Sequence, residues 1–326
     1  MKSYWMEVKN GHAEIELRDL EQPKPGAGQI LVRVRAAGLN RGEFIFGHSL
    51  HGKGGSAKPI GMEAAGEVVA CGEGVLGFQV GERIMGRCPG AFSEYALMDH
   101  REALPIPKRL NWTQAAAIPL VSLVVHDMLV LQGRLQPQEW VLIAGVSSGV
   151  GVAALQMAKA LGAKVIGTSG SQEKLDRLKA LNLDLGLCTR QPDFYDAVMK
   201  ATDNKGVDLV INGIGGSVFG ECIRSLAFEG RLATVGYVDE VLKAELDIEA
   251  LHAKRLTLFG VSNRLRSPAQ RAQGVPRFKE QILPLIEDGQ IPPLVDREFD
   301  FGKLAEAKAC MDANLHLGKI VLLGHP

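Results

Sequence analysis

Two hydrophobic rhythms divide the chain. Over the first 110 residues, short apolar or alternating runs sit between glycines and prolines: Glu14–Leu17, Ile30–Ala36, Glu67–Ala70, Arg83–Met85 and Ser93–Leu97. Runs of this length, punctuated by Pro23, Pro25, Gly26 and Gly28 and by glycines at 61, 66, 72, 74, 77, 81 and 86, predict a small domain of strands and tight turns. The rhythm changes near Asn111. Thr113–Gln132 is long, apolar on most faces and carries Pro119 early, which predicts buried helix in two pieces. Strand and helix then alternate. Strands are predicted at Trp140–Ala144, Lys164–Thr168, Leu185–Cys188, Val207–Asn212, Arg231–Gly236 and Leu256–Val261. Helices are predicted at Val152–Leu161, Gln172–Leu181, Asp193–Ala201 and Val218–Leu226. Six strands alternating with helices predict an α/β fold built on a doubly wound parallel sheet. The remainder reads as a helix (Pro276–Glu287), a proline-rich turn (Gln290–Pro293), a second helix (Lys303–Ala313) and a strand (Lys319–Leu323).

Composition narrows the class. At 326 residues the chain has room for about two domains. Its 37 Lys and Arg balance 37 Asp and Glu, which makes a poor surface for nucleic acid or an anionic membrane. The five cysteines (Cys71, Cys88, Cys188, Cys222 and Cys310) include no C-x-x-C pair, against both a disulfide scaffold and a cysteine-built zinc site. The start, MKSYWMEVKNGHAEIEL, lacks a continuous apolar segment, and the apolar stretches at 115–125 and 150–158 are too short for a bilayer. A cytoplasmic enzyme with neither a membrane nor a nucleic-acid partner is expected.

The candidate chemistry begins at Val141–Gly151, VLIAGVSSGVG, where a buried strand runs through a Gly/Ser turn into a helix start. Small residues let the backbone approach a pyrophosphate, and a helix N-terminus offers free N–H groups and the positive end of its dipole. Against G-x-G-x-x-G, Val146 and Ser148 stand where the first two glycines belong. The hexapeptide is weak by itself, and its setting on the first strand of the α/β unit carries the assignment of Ser147, Ser148, Gly149 and Val150 to a dinucleotide. The second strand ends TSGSQEK, without the acid that would bond a ribose diol. Ser169, Gly170 and Lys174, with Arg190 after the third strand, suit a 2′-phosphate, so the expected cofactor is NADPH. Asn212 and Gly213, then Val235, Gly236 and Tyr237, then Val261 and Ser262 follow later strands, at the ends where open α/β sheets bind ligands.

Four stretches resemble the medium-chain dehydrogenase/reductase superfamily, in particular its zinc-free quinone oxidoreductase branch. They are Pro59–Val68 with Gly74–Met85, the turn and helix AGVSSGVGVAALQMAKALGAKVIGT, GVDLVINGIGG at Gly206–Gly216, and Leu317–Leu322. The resemblance implies a GroES-like, β-rich catalytic domain of residues 1–124 and 263–326 and a Rossmann domain of residues 125–262. Zinc-dependent members hold the metal with a Cys and a His. The matching positions here read Asn40 and Met62, and the lobe of four closely spaced cysteines is missing, so no metal is expected. His48, His51, His100 and His126 remain as lone histidines.

The branch reduces quinones and α,β-unsaturated carbonyls, a reaction in which hydrogen-bond donors stabilise the spreading charge without a Lewis acid. By the resemblance, Asn40 donates its amide to that charge, with a turn-capping role beside Gly42 as the alternative. Glu43 orients Asn40 or holds its loop, and Glu63 enters a buried ion pair or hydrogen bond. Phe44-Ile45-Phe46 stands where the branch often carries a Tyr. Val124 and His126 stand where it usually carries a Thr and a Tyr. The pocket implied is apolar, lined by Ile45 and Val124, with His126 as a polar replacement. Asn314 resembles a position that closes over NADPH. The strand Leu256–Val261 is the one through which the superfamily pairs, so a homodimer is expected. The resulting expectation is a stand-alone reductase that transfers hydride in a cleft between its domains. The alternatives are an enoyl-thioester reductase of the same family and an NADPH-binding protein without significant catalytic activity.

Overall fold

The structure, a computed structural model, describes residues 1–9, 12–44 and 57–325. Ile45, His48 and His51 lie outside the described residues. Two compact units form. The first comprises Met1–Leu123, Arg264–Glu287 and Pro293–Pro326, and the second Val124–Asn263 with Asp288–Pro292.

The first unit is built on a seven-stranded sheet. Its central strand, Gln29–Gly38, pairs antiparallel with Glu63–Cys71 on one side and with Lys319–Leu323 on the other, and also with Tyr95–Asp99. Its middle position explains why apolar residues do not alternate strictly along it: Ile30, Leu31, Val32 and Val34 are all buried. Val32, Ile84, Phe92, Met98 and Leu322 belong to one core cluster on this sheet. A separate hairpin, Lys2–Lys9 with His12–Asp19, forms a smaller sheet with Lys58–Pro59.

The second unit is a six-stranded parallel sheet. Its strand order is Leu185–Cys188, Lys164–Ser169, Trp140–Ala144, Val207–Asn212, Leu226–Thr234, Thr257–Gly260. This is the 3-2-1-4-5-6 order of doubly wound dinucleotide folds. The helix Gly149–Ala160 follows the first strand and buries Val152, Leu155 and Met157. The registers place Leu187, Thr168, Ala144, Asn212, Thr234 and Gly260 in one row across the sheet. All the strands are parallel, so every connection leaving that row emerges at the same edge.

Several element boundaries differ from those predicted. The first Rossmann helix starts at Gly149, not Val152, because Ser148 caps it and accepts the Gly151 N–H at 3.0 Å. The helix predicted through Leu226 ends at Arg224, and Leu226 opens the next strand by pairing with Val207. Pro276–Glu287 breaks into Val275–Gln281 and Leu283–Glu287, with Pro284 in the first turn of the second piece. Thr113–Gln132 resolves into helices Trp112–Ala116 and Pro119–His126 and a π-turn at Asp127–Leu131. No helix among the described residues is long and apolar enough to cross a membrane.

Leu142 is fully buried in the strand that carries the Gly/Ser turn. Leu142→Ala is expected to destabilise the protein by about 3 kcal/mol, read from chemical denaturation.

Candidate active site

The first unit gathers a buried polar cluster at the end of its central strand. Beyond Gly38 the chain passes Leu39 and Asn40 into a single 3-10 turn, Arg41–Glu43. Asn40 Nδ2 donates to Glu43 Oε1 and to Glu63 Oε1, each at 2.9 Å. Its Oδ1 accepts from Lys319 Nζ at 2.8 Å. Lys319 Nζ also donates to Leu39 O at 2.9 Å and to Glu63 Oε1 at 2.7 Å. Glu63 Oε2 accepts the Leu120 N–H at 2.7 Å. An amide nitrogen has two protons and an ammonium three, so every side-chain donor of Asn40 and Lys319 is engaged. Glycine is required at position 38: a Cβ there would stand 2.5 Å from Glu63 Oε1 and 2.7 Å from Ala116 O.

Charge in the cluster is uneven. Glu43, Glu63 and Lys319 are buried, while Asn40 is half-buried. Lys319 is ion-paired with Glu63. The Glu43 carboxyl meets Asn40 at its side-chain N–H and, at 3.4 Å, at its backbone N–H. Burial pushes Glu43 up to about 8. The Asn40 hydrogen bonds and the Lys319 charge oppose that shift, and the Glu63 charge adds to it. At neutral pH a neutral Glu43 beside the Glu63–Lys319 pair leaves the cluster without net charge.

The second unit carries the cradle. Gly145 leaves the first strand at φ +86. Ser148 Oγ donates to Gly145 O at 2.9 Å and accepts the Gly151 N–H, which closes the turn. A Cβ at Gly151 would run into Gly145 O and stand 2.7 Å from Val146 Cα. Gly149 and Val150 open the helix, where N–H groups have no intrahelical acceptor. Ser147 Oγ lies 3.1 Å from Ser169 Oγ, so the first two strand ends meet. Beyond Ser169 the Arg190 guanidinium and stem lie directly over Gly170, where any side chain would overlap them. Lys174 sits in the first turn of the next helix, its N–H bonded to Ser171 Oγ at 3.3 Å. Gly213, Val235 and Val261 each follow the common register row by one residue.

Comparison with known proteins agrees with both units. Residues 26–108 match the alcohol dehydrogenase GroES-like domain, and residues 149–279 match the zinc-binding dehydrogenase family. A mycobacterial protein solved in complex with NADPH superposes with a TM-score of 0.88 at 25% identity, over 99% of each chain. A quinone oxidoreductase from Pseudomonas syringae pv. Tomato DC3000 gives 0.87 at 26% identity, over 99% of this chain and 100% of that one. The chain belongs to the medium-chain dehydrogenase/reductase superfamily, in its quinone oxidoreductase-like branch. It is also 33% identical, over 94% of its length, to a phenolphthiocerol/phthiocerol polyketide synthase polypeptide of Mycobacterium tuberculosis. It spans about one seventh (14%) of that relative.

Zinc, which many members of the superfamily hold, does not fit these side chains. Asn40 and Met62 offer an amide and a thioether in place of a thiolate and an imidazole. The Glu63 oxygens are already taken by Asn40, Lys319 and Leu120. Among the described residues no group of three or more His, Cys, Asp and Glu could hold a metal ion. A dinucleotide does fit the second unit: the closed Gly145–Gly151 turn, the open helix start and the guanidinium over Gly170 answer to a pyrophosphate and a further phosphate.

The remaining predicted residues are dispersed. Val124 and His126 belong to the second unit, on the helix Pro119–His126, and His126 is fully buried. Asn212 turns inward: its Oδ1 accepts from Ile214 and Gly215 N–H, and its Nδ2 donates to Gly215 O. Its contribution is the shape of the turn at Gly213. Tyr237 and Ser262 are exposed just past their strands. Asn314 lies in the first unit, where its Oδ1 accepts from Arg41 Nη2 at 2.8 Å. Sequence reasoning passed over Gly145 and Lys319. The three-residue spacing of Gly145, Ser148 and Gly151 was the available signal for Gly145.

Lys319→Met strands the Glu63 charge in a buried site and is expected to cost about 3–5 kcal/mol in chemical denaturation. Adding Glu63→Gln should recover a substantial part of that loss, because the two side chains are coupled.

Proposed function

We propose that the chain is an NADPH-dependent, metal-independent reductase of quinones or α,β-unsaturated carbonyls. The observation that carries this reading is Arg190 over Gly170, at the end of a second strand that bears no acid. A guanidinium there favours a 2′-phosphate and leaves no carboxylate for a ribose diol. The NADPH complex of the mycobacterial neighbour and the quinone oxidoreductase from Pseudomonas syringae support it.

Ser147, Ser148, Gly149 and Val150 present the pyrophosphate cradle, and Lys174 and Arg190 hold the 2′-phosphate. The chemistry NADPH supplies when bound is a hydride. Asn40 is assigned as the donor that meets the oxygen on which charge develops. Both its amide protons are engaged in the structure, so donation requires the release of one of them. Val124 and His126 are assigned to the substrate pocket. Among the described residues Thr257–Gly260 has a strand neighbour on one side only, and we assign its open edge to a second copy of the chain.

The similarity to a polyketide synthase favours a second reading, in which the carbonyl is that of an enoyl thioester. Turnover separates the two. Oxidation of NADPH is followed with 9,10-phenanthrenequinone, a 2-alkenal and crotonyl-N-acetylcysteamine. Preference for the quinone or alkenal supports the first reading, preference for the thioester supports the second, and tight binding without turnover of any probe overturns both. Arg190→Ala is expected to weaken NADPH about tenfold or more while leaving NADH within about twofold, measured by fluorescence titration. Equal losses for the two cofactors would remove the 2′-phosphate assignment.

A further inference from the structure

We propose that Glu43 is a positioning residue that controls the Asn40 amide: as a neutral carboxyl it yields one amide proton to the substrate oxygen, and as a carboxylate it retains it. The inference rests on the reductase reading above and goes beyond it to name the group that gates the donor.

Asn40 Nδ2 has two protons, one on Glu63 Oε1 and one on Glu43 Oε1. Rotation of the amide cannot supply another, because Lys319 holds Oδ1 at 2.8 Å. The Glu63 side is fixed as well. That carboxylate is paired with Lys319 and bonded to the Leu120 N–H, and it lies across Gly38 where no Cβ intervenes. The Glu43 side is therefore the one that can let go. Glu43 comes from the same short turn as Asn40, so a small change within Asn40–Glu43 redirects the proton without disturbing the sheet.

The protonation state of Glu43 sets how firmly it holds. A hydrogen bond to an ionised acceptor is roughly twice as strong as one between neutral groups. Among the described residues, the groups facing Glu43 are the Asn40 amide on its own turn, the Glu63 carboxylate on one neighbouring strand and the Lys319 ammonium on the other. The ammonium is committed to Glu63 at 2.7 Å and also to Leu39 O and Asn40 Oδ1. Two carboxyls therefore share one buried cation. The cheaper arrangement leaves the second carboxyl uncharged.

The sign follows. The neutral form of Glu43 is the productive one, so turnover persists at low pH and falls as pH rises through the Glu43 value of about 8. Between pH 7 and pH 9 the neutral fraction falls about tenfold, and kcat/KM should fall with it. Glu43→Gln keeps the shape and stays neutral, so its pH 7 to pH 9 ratio should stay within about twofold, whatever its absolute rate.

The experiment measures kcat/KM of the wild-type protein and Glu43→Gln with NADPH and 9,10-phenanthrenequinone from pH 6 to pH 10. In parallel, the infrared carbonyl band of a protonated carboxyl is followed in wild-type protein carrying ¹³C-labelled glutamate. A descending limb in the wild type that is absent from Glu43→Gln, with a protonated-glutamate band that disappears over the same pH range, supports the proposal. The same limb in both proteins, no limb in the wild type, or no such band at pH 7 overturns it. The infrared arm does not depend on turnover or on the variant folding. Absence of turnover with every acceptor at every pH, with the band present, instead overturns the reductase reading and with it the role given to Asn40.

Discussion

The first unit depends on one buried ion pair held across a strand. Glu63 and Lys319 come from strands on opposite sides of Gln29–Gly38, and their charged groups meet at 2.7 Å. They reach each other because residue 38 has no side chain, and the Glu63 carboxylate lies beside the place a Cβ would fill. Burying two charges is worthwhile only when their remaining lone pairs and protons are also met. Here they are: Leu120 N–H, Leu39 O and the Asn40 amide complete the set. Removing any one member would leave a buried polar group without its partner, and so the position of Asn40 is dictated by the stability of the sheet. In this chain the ion pair organises the turn at Asn40 through hydrogen bonds.

The second unit works by register. Six parallel strands end in one row, and the residues that follow the row share one edge. In the proposed reading, selectivity for a phosphate would come from two small features on that edge. Gly151 lets the helix close on the turn at Gly145, and Gly170 lets Arg190 lie flat over the end of the second strand. Each is an absence of side chain that gives another group its place.

Much of this was legible in the sequence, for local reasons. The strands of the second unit are short apolar runs between turn residues, and their period and spacing are local properties. Ser148 and Lys174 could be placed beside helix starts because a turn and its helix are contiguous in the chain. What was not legible is what joins distant segments. Lys319 lies 256 residues from Glu63, and no pattern near either residue announces the other. Gly145 was missed because the G-x-G-x-x-G template, counted back from Gly151, puts Val146 at its first position, whereas the turn uses Gly145, a capping Ser148 and Gly151 three residues apart. The inward turn of Asn212 was equally hidden, because a polar residue at a strand end reads the same whether it faces a ligand or its own loop. The burial of Glu43, which sets its protonation, depends on strands that close around it from both ends of the chain.

In the proposed reaction a hydride reaches carbon, and the charge it displaces is received on a conjugated oxygen by a hydrogen-bond donor. The most direct measurement follows the label from NADPH deuterated at C4 during reduction of a 2-alkenal, with the product carbons assigned by NMR. The account predicts deuterium on the carbon β to the carbonyl, with the proton at the α-carbon drawn from the medium. Deuterium on the carbonyl carbon, giving an allylic alcohol, or oxidation of NADPH with no label in the product, would contradict it.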